Sequence, residues 1–438
     1  MHSPIKVAVT YGPSLQNKLE EAFKSGAKLL RINFSHTKAS DTENIVKEAQ
    51  ELGFVVFGDL QGPKIRIGEV ERKLLKKGVV VSLEKDLLFD TSIVSAQVGD
   101  KIIIADGFPV LEVIEVSGGD IKAKVLEEGE IFSRAGIAFP DSHVKVHLLS
   151  KQDIENIEAS VDIGYDLLAI SFVSNAADVF TVRNLTSSFG RELPLIAKIE
   201  RKIALKNLEE IAAASDILMV ARGDLGVEIG EENVPWAQKQ ILKTAIKNNK
   251  PSMVATQLLD SMVSRPAPSR AEVTDITTAV TEGADSLLLT KETALGQFPI
   301  ETIRTAVQIS SKATEYSTPF LNESLPSTVV EVANYSNSEA IFVITYTGTS
   351  LLLISSLKPK QKIFALSNSD RVEKLSALTY NTIYTHICSN FENTENLVKH
   401  CKKIMKEYNI KRAVIFFGLP LGKPIRANTI SVIDIDDN

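Results

Sequence analysis

A chain of 438 residues is too long for one ordinary domain, and two or three are expected. Its 49 basic and 55 acidic side chains leave a formal charge of −6, and with no large basic block this argues against nucleic acid as the main partner. Hydrophobic content of 44% is ordinary for a soluble globular protein, and no apolar run reaches the ~18 residues of a membrane span.

Two cysteines, Cys388 and Cys401, fit a reducing cytosol rather than a disulfide framework. The start, MHSPIKVAVT, runs directly into a strand and does not look like a signal peptide. A cytoplasmic protein is expected.

In chain order, Ile5 to Thr10 reads as a buried strand and Ser14 to Lys24 as a helix. Lys28 to Phe34 is a second strand, Lys38 to Glu51 a second helix, and Phe54 to Leu60 a third strand. Such alternation implies parallel strands with helical crossovers. From about Gly68 to Asp141 there is no convincing helix. Short β-rich runs and Gly-Asp turns predict a small all-β domain inserted after the third strand.

Alternation resumes with a helix over Ser150 to Ile163 and a fourth strand, Leu167 to Val173. The stretch Pro194 to Gly230 gives a fifth strand ending in Lys198 and Glu200, a helix over Arg201 to Ala214, and a sixth strand ending in Arg222, Gly223 and Asp224. Residues i and i+2 of a strand share a face, so Lys198 and Glu200 point together. Pro251 to Thr256 and Ser286 to Thr290 complete eight strands, with helices at about 234–248, 269–282 and 299–316. Eight strands in one series is the count for a closed TIM (β/α)₈ barrel; a doubly wound open sheet is the alternative. Leu321 to Thr328 reads as a linker. Four or five further α/β units then predict an open-sheet domain. The expected domains are a barrel over 1–67 and 142–320, a β-barrel lid over 68–141, and an α/β regulatory domain over 321–438.

The strand ends share one character. Strand two offers Arg31, Asn33, Ser35 and His36, and strand three Asp59 with Lys64 and Arg66 just beyond. Strand four offers Ser171 and Phe172, strand five Lys198 and Glu200, strand six Arg222 and Asp224, strand seven Thr256, and strand eight Thr290 and Glu292. Cations and carboxylates gathered on one rim predict stabilisation of phosphate charge by arginine, lysine and a carboxylate-held metal.

The chain resembles pyruvate kinases over essentially its whole length. The resemblance is carried by LLRINFSH, GDLQGPKIRIG, LIAKIE, MVARGDLGVEI, ATQLLDSM, RPAPSRAEVTD and LLTKETALGQFP, in the family's order. It implies phosphoryl transfer from phosphoenolpyruvate to ADP, giving pyruvate and ATP. It implies that Glu200 and Asp224 hold Mg²⁺ or Mn²⁺, and that Lys198 stabilises the phosphoryl group in flight with Arg31. Arg66 and His36, beside Asn33, would approach the phosphates of substrate or nucleotide. Ala221, Arg222 and Gly223 would offer backbone groups to the substrate carboxylate, where Gly223 permits close approach. Thr256 and Thr290 would supply hydroxyls for protonating the enolate. A homotetramer is implied too.

Two departures stand out. Lys291 replaces a usual glycine after Thr290. Lys64 stands after Gly62-Pro63, where potassium-dependent members carry glutamate. The pocket of Asn33, Ser35, Asp59 and Lys64 is therefore expected to work without K⁺. The segment Thr345 to Ser350, with Thr347, Gly348 and Thr349 between, is a candidate loop for an anionic allosteric effector, set against simple helix N-capping. A metal-dependent barrel lyase or aldolase acting on pyruvate enolate, or a silent effector-binding homologue, are the competing functions.

Overall fold

The computed structural model describes residues 3–63, 65–105, 107–144, 147–387, 391, 393–423 and 425–436. Lys64, singled out above, lies outside them.

Eight parallel strands close into one barrel. They are Lys6–Thr10, Ala27–Asn33, Val55–Asp59, Leu167–Ile170, Leu195–Ile199, Ile217–Ala221, Ser252–Ala255 and Ser286–Leu289. Closure excludes the open-sheet alternative. The runs are almost wholly buried because parallel barrel strands face a packed interior on one side and helices on the other. The first strand pairs Val7 with Leu287 and the fifth pairs Lys198 with Met219.

Helix starts follow local chemistry. Ser150 caps Lys151–Ile163 in a reciprocal box with Asp153, Asn175 caps Ala176–Ser188 with Asp178, and Ser269 caps Arg270–Thr281 with Glu272. The expected single helix over Arg201 to Ala214 is two, Lys202–Lys206 and Leu208–Ala214, with Asn207 between them donating its side chain to the Ser174 carbonyl. A helix over Arg222–Ile229 follows the sixth strand directly.

The contacts divide the chain into two compact units. One comprises 33–43 and 58–241, the other 1–32, 44–57 and 242–438. Within the first, residues 66–144 form antiparallel ladders. A five-stranded sheet runs from Ile137–Ala138 through Lys101–Ile104, Val110–Ser117 and Asp120–Glu127 to Val80–Ser82, with two shorter ladders beside it. Its core includes Ile102, Leu111, Val113, Val125 and Ile131. It also contains a helical turn, Leu83–Asp86, capped by Ser82, and a 3-10 turn, Thr91–Ile93, capped by Asp90.

In the second unit, a five-stranded sheet carries Ala340–Ile344 at its centre. Lys362–Ser367 and Thr382–His386 extend one side in parallel; Arg412–Phe417 and the antiparallel Thr429–Asp434 extend the other. The linker expected over Leu321 to Thr328 is shorter. Ser324 caps a helix, Leu325–Tyr335, with proline in its first turn, a position where a missing N–H costs nothing. Among the described residues no helix is long and apolar enough to cross a membrane.

Candidate active site

The fifth strand supplies the centre of the first cluster. Lys198 and Glu200 stand two residues apart, and the Lys198 ammonium lies 2.9 Å from Glu200 Oε1. The same nitrogen reaches Asp59 Oδ1 at 3.2 Å and Ser171 Oγ at 2.8 Å. The Ser171 hydroxyl donates to the Leu60 carbonyl at 2.7 Å. Ends of the third, fourth and fifth strands thus converge on one ammonium.

Glu200 is buried, and its other oxygen accepts the Phe172 amide at 2.7 Å. Burial pushes the Glu200 carboxyl up to about 7. The Lys198 ammonium opposes this, and the nearby Asp224 carboxylate adds to it. A buried carboxylate with a second carboxylate beside it is a site that added positive charge would stabilise. Among the described residues no three His, Cys, Asp or Glu side chains gather as a metal site.

Asp224 lies in the first turn of Arg222–Ile229, whose N-cap, Ala221, has no side chain that can cap it. Asn33 holds the turn after the second strand: its Oδ1 accepts the Ser35 amide at 3.1 Å, and its carbonyl accepts the His36 amide. The Phe34 amide donates to the Asp59 carbonyl, which keeps this turn against the third strand. Ser35 and His36 are exposed. Arg66 is held further out, where its guanidinium donates to the Arg134 carbonyl at 2.9 Å and its backbone bridges Gly136.

In the other unit, Arg31 donates to Thr10 Oγ1 at 3.2 Å. Thr10 is tied in turn to the Leu289 carbonyl and to Thr293. Thr290 is fixed by Glu292, which accepts its amide at 2.7 Å and its hydroxyl at 3.2 Å. The other Glu292 oxygen takes the Leu259 amide at 3.1 Å. Thr256 and Gln257 both have positive φ, 70° and 53°. Left-handed backbone is costly for a β-branched residue and concentrates at functional sites.

Two family models match this chain. The pyruvate kinase barrel-domain model covers residues 3–303, and the pyruvate kinase alpha/beta-domain model covers 323–433. The chain belongs to the pyruvate kinase family.

A pyruvate kinase from Methanocaldococcus jannaschii is 35% identical over 98% of both chains. One from Thermotoga maritima is 34% identical over 98% of this chain and 99% of its own. One from Thermococcus litoralis is 33% identical over 98% of both. As a member of the pyruvate kinase family, the chain belongs to a family of phosphotransferases, and the lyase reading falls away.

Sequence reasoning missed one support of this pyruvate kinase site. Thr10, the partner of Arg31, ends the first strand, the one strand left out of the survey of strand ends. Glu292, named with Thr290 at the end of strand eight, is fully buried and holds Thr290 and the Leu259 amide.

Proposed function

We propose that this chain transfers the phosphoryl group of phosphoenolpyruvate to ADP in glycolysis, using Mg²⁺ or Mn²⁺ and no K⁺. The observation that carries this reading is the Lys198 ammonium, set between Asp59 and Glu200 at the end of the fifth strand. A fixed cation there meets charge developing on a phosphoryl group in transfer.

In this reading the phosphorus–oxygen bond of phosphoenolpyruvate breaks as a β-phosphate oxygen of ADP bonds to phosphorus. The enolate released takes a proton at carbon and becomes pyruvate. Lys198 and Arg31 bind the moving phosphoryl group, and Arg66, His36 and Asn33 orient the nucleotide phosphates. Ala221, Arg222 and Gly223 hold the substrate carboxylate. The Thr256 and Thr290 hydroxyls carry the proton, and Glu292 fixes the second of them. Glu200 and Asp224 would hold the divalent ion, which supplies positive charge to the phosphate oxygens.

The catalytic barrel is assigned to 1–67 and 142–320, a β-barrel lid to 68–141, and a regulatory domain to 321–438. The loop Thr345 to Ser350 is assigned to an anionic effector. There the Thr345 hydroxyl accepts the Gly348 amide at 3.0 Å, and Gly348, at φ 88°, begins the helix Thr349–Ser356. The working protein is taken to be a cytoplasmic homotetramer. The test is a coupled assay with phosphoenolpyruvate, ADP and Mg²⁺. Absence of ATP formation by well-folded protein would overturn the reading.

A further inference from the structure

The inserted β segment departs after the third strand and returns at Ser150. Its two roots are held by one carboxylate. Asp153, almost fully buried, accepts the Gln61 amide at 3.1 Å and the Gly62 amide at 3.4 Å on Oδ1. Its Oδ2 accepts the Ser150 amide at 3.0 Å and hydroxyl at 2.7 Å. The outgoing and returning backbones are therefore pinned together. Gly62 has φ +68°, and a Cβ there would lie 2.9 Å from the Ser171 Cβ, so the outgoing root passes too close to the fourth strand's end for a side chain.

Beyond the roots, an ion pair joins the segment to the barrel. Asp141 belongs to the segment: the Lys101 amide binds its carboxylate, and the neighbouring Ser142 hydroxyl donates to Asp100 at 2.7 Å. Lys202 belongs to the barrel. It opens the helix Lys202–Lys206 two residues after Glu200, and its amide donates to Glu228 at 3.2 Å. The Lys202 ammonium meets Asp141 Oδ1 at 2.8 Å, with the side chains 47% and 37% exposed. Both line a cavity of about 640 Å³ together with Phe172, whose amide binds Glu200.

We propose that Lys202 and Asp141 form a latch that sets the pose of the inserted domain against the strand carrying Lys198 and Glu200, with the Asp153 clamp as its pivot. An exposed ion pair is weak, which suits a contact that must release: it biases two poses by about fivefold or less. Lys202 and Asp141 are positioning residues and touch no reacting atom. The proposal rests on reading that strand end as the phosphoryl-transfer site.

The test uses the full chain and four variants: Lys202→Met, Asp141→Asn, the double variant, and the charge swap Lys202→Asp with Asp141→Lys. Amide hydrogen exchange at residues 139–144, measured without substrate, reads the latch independently of activity. Each single variant should speed that exchange and raise KM for ADP by about two- to fivefold, with kcat almost unchanged. The double variant should be no worse than either single. The swap should restore both readouts, and high salt should shrink the wild-type advantage. Unchanged exchange and KM in both single variants, or additive effects in the double, would overturn the latch. If exchange responds as expected in a protein with no kinase activity, the latch stands and the phosphoryl-transfer reading falls.

Discussion

Lys358 and Asp285 form a buried ion pair, Nζ to Oδ1 2.6 Å, with the two side chains 3% and 2% exposed. Asp285 immediately precedes the eighth barrel strand, and Lys358 follows the helix Thr349–Ser356. The same carboxylate accepts the amides of Ser252 and Tyr380, at 2.9 and 3.0 Å. It thereby joins the seventh strand to the turn before Thr382–His386. Burial pulls the Lys358 ammonium below its usual range, and Asp285 pulls it back. Removing one partner strands the other charge in the interior. Lys358→Met is expected to cost roughly 3–5 kcal/mol. Denaturant unfolding followed through the first transition measures it, and a loss below about 1 kcal/mol would contradict the account.

Lys6 shares this buried region and gives a pH dependence. Its ammonium is buried and donates to the Thr382 carbonyl at 2.8 Å. Burial, then the charge of Lys28, lowers its pKa to about 8 from 10.5; Asp285 opposes them. Between those values the unfolded chain holds a proton that the folded chain has released, so stability from this group rises with pH from about 8 to 10.5. Below pH 8 both states are charged and the penalty is constant. Wild type should therefore gain Tm relative to Lys6→Met as pH is raised from 7 to 10. A difference that stays flat across that range would show that Lys6 does not titrate there.

Lys198→Met should leave the fold intact and reduce kcat by a hundredfold or more, the scale expected when one positioned charge is lost at a developing anion, about 3–4 kcal/mol. Circular dichroism checks the fold, and the coupled assay checks turnover. Wild-type turnover would remove Lys198 from the mechanism.

Glu200→Gln and Asp224→Asn should each raise the Mg²⁺ concentration needed for half-maximal activity by tenfold or more, because a hard cation prefers anionic oxygen. Titration of activity against Mg²⁺ at saturating substrate reads this. Unchanged metal dependence in both variants would exclude a shared ion.

The barrel was legible because its strands are short, apolar and separated by helices, three of them opened by capping boxes, a pattern that survives without tertiary information. Lys198 and Glu200 were legible as a pair because a strand has period two, and their charged groups do meet. Other features obey no period. Asp59 lies 139 residues from the lysine that it binds, and Asp153 about ninety from Gln61 and Gly62 of the outgoing root. Neither partnership leaves a local trace. The helix at Leu325 was hidden for another reason: serine and proline mark both linkers and helix starts, and only packing of Val329, Val330 and Ala333 decides between them.

The last prediction concerns potassium. Potassium-dependent relatives are expected to carry glutamate after the glycine-proline of the strand-three block, and this chain has Lys64 after Gly62-Pro63. The exchange alters local charge by two units. A glutamate would leave the group of Asn33, Ser35 and Asp59 in need of a monovalent cation. Here the Asp59 carboxylate binds the Lys198 ammonium at 3.2 Å, and Asn33 Oδ1 accepts the Ser35 amide at 3.1 Å. A lysine brings its own positive charge to this part of the chain, and it repels a second cation by roughly 1 to 4 kcal/mol at about 4 Å, depending on the dielectric. Activity at fixed ionic strength should therefore be the same in tetramethylammonium as in K⁺, and activation by K⁺ of several-fold would refute the idea. Lys64→Glu restores the missing negative charge, so it should lower activity in tetramethylammonium and make the enzyme respond to K⁺.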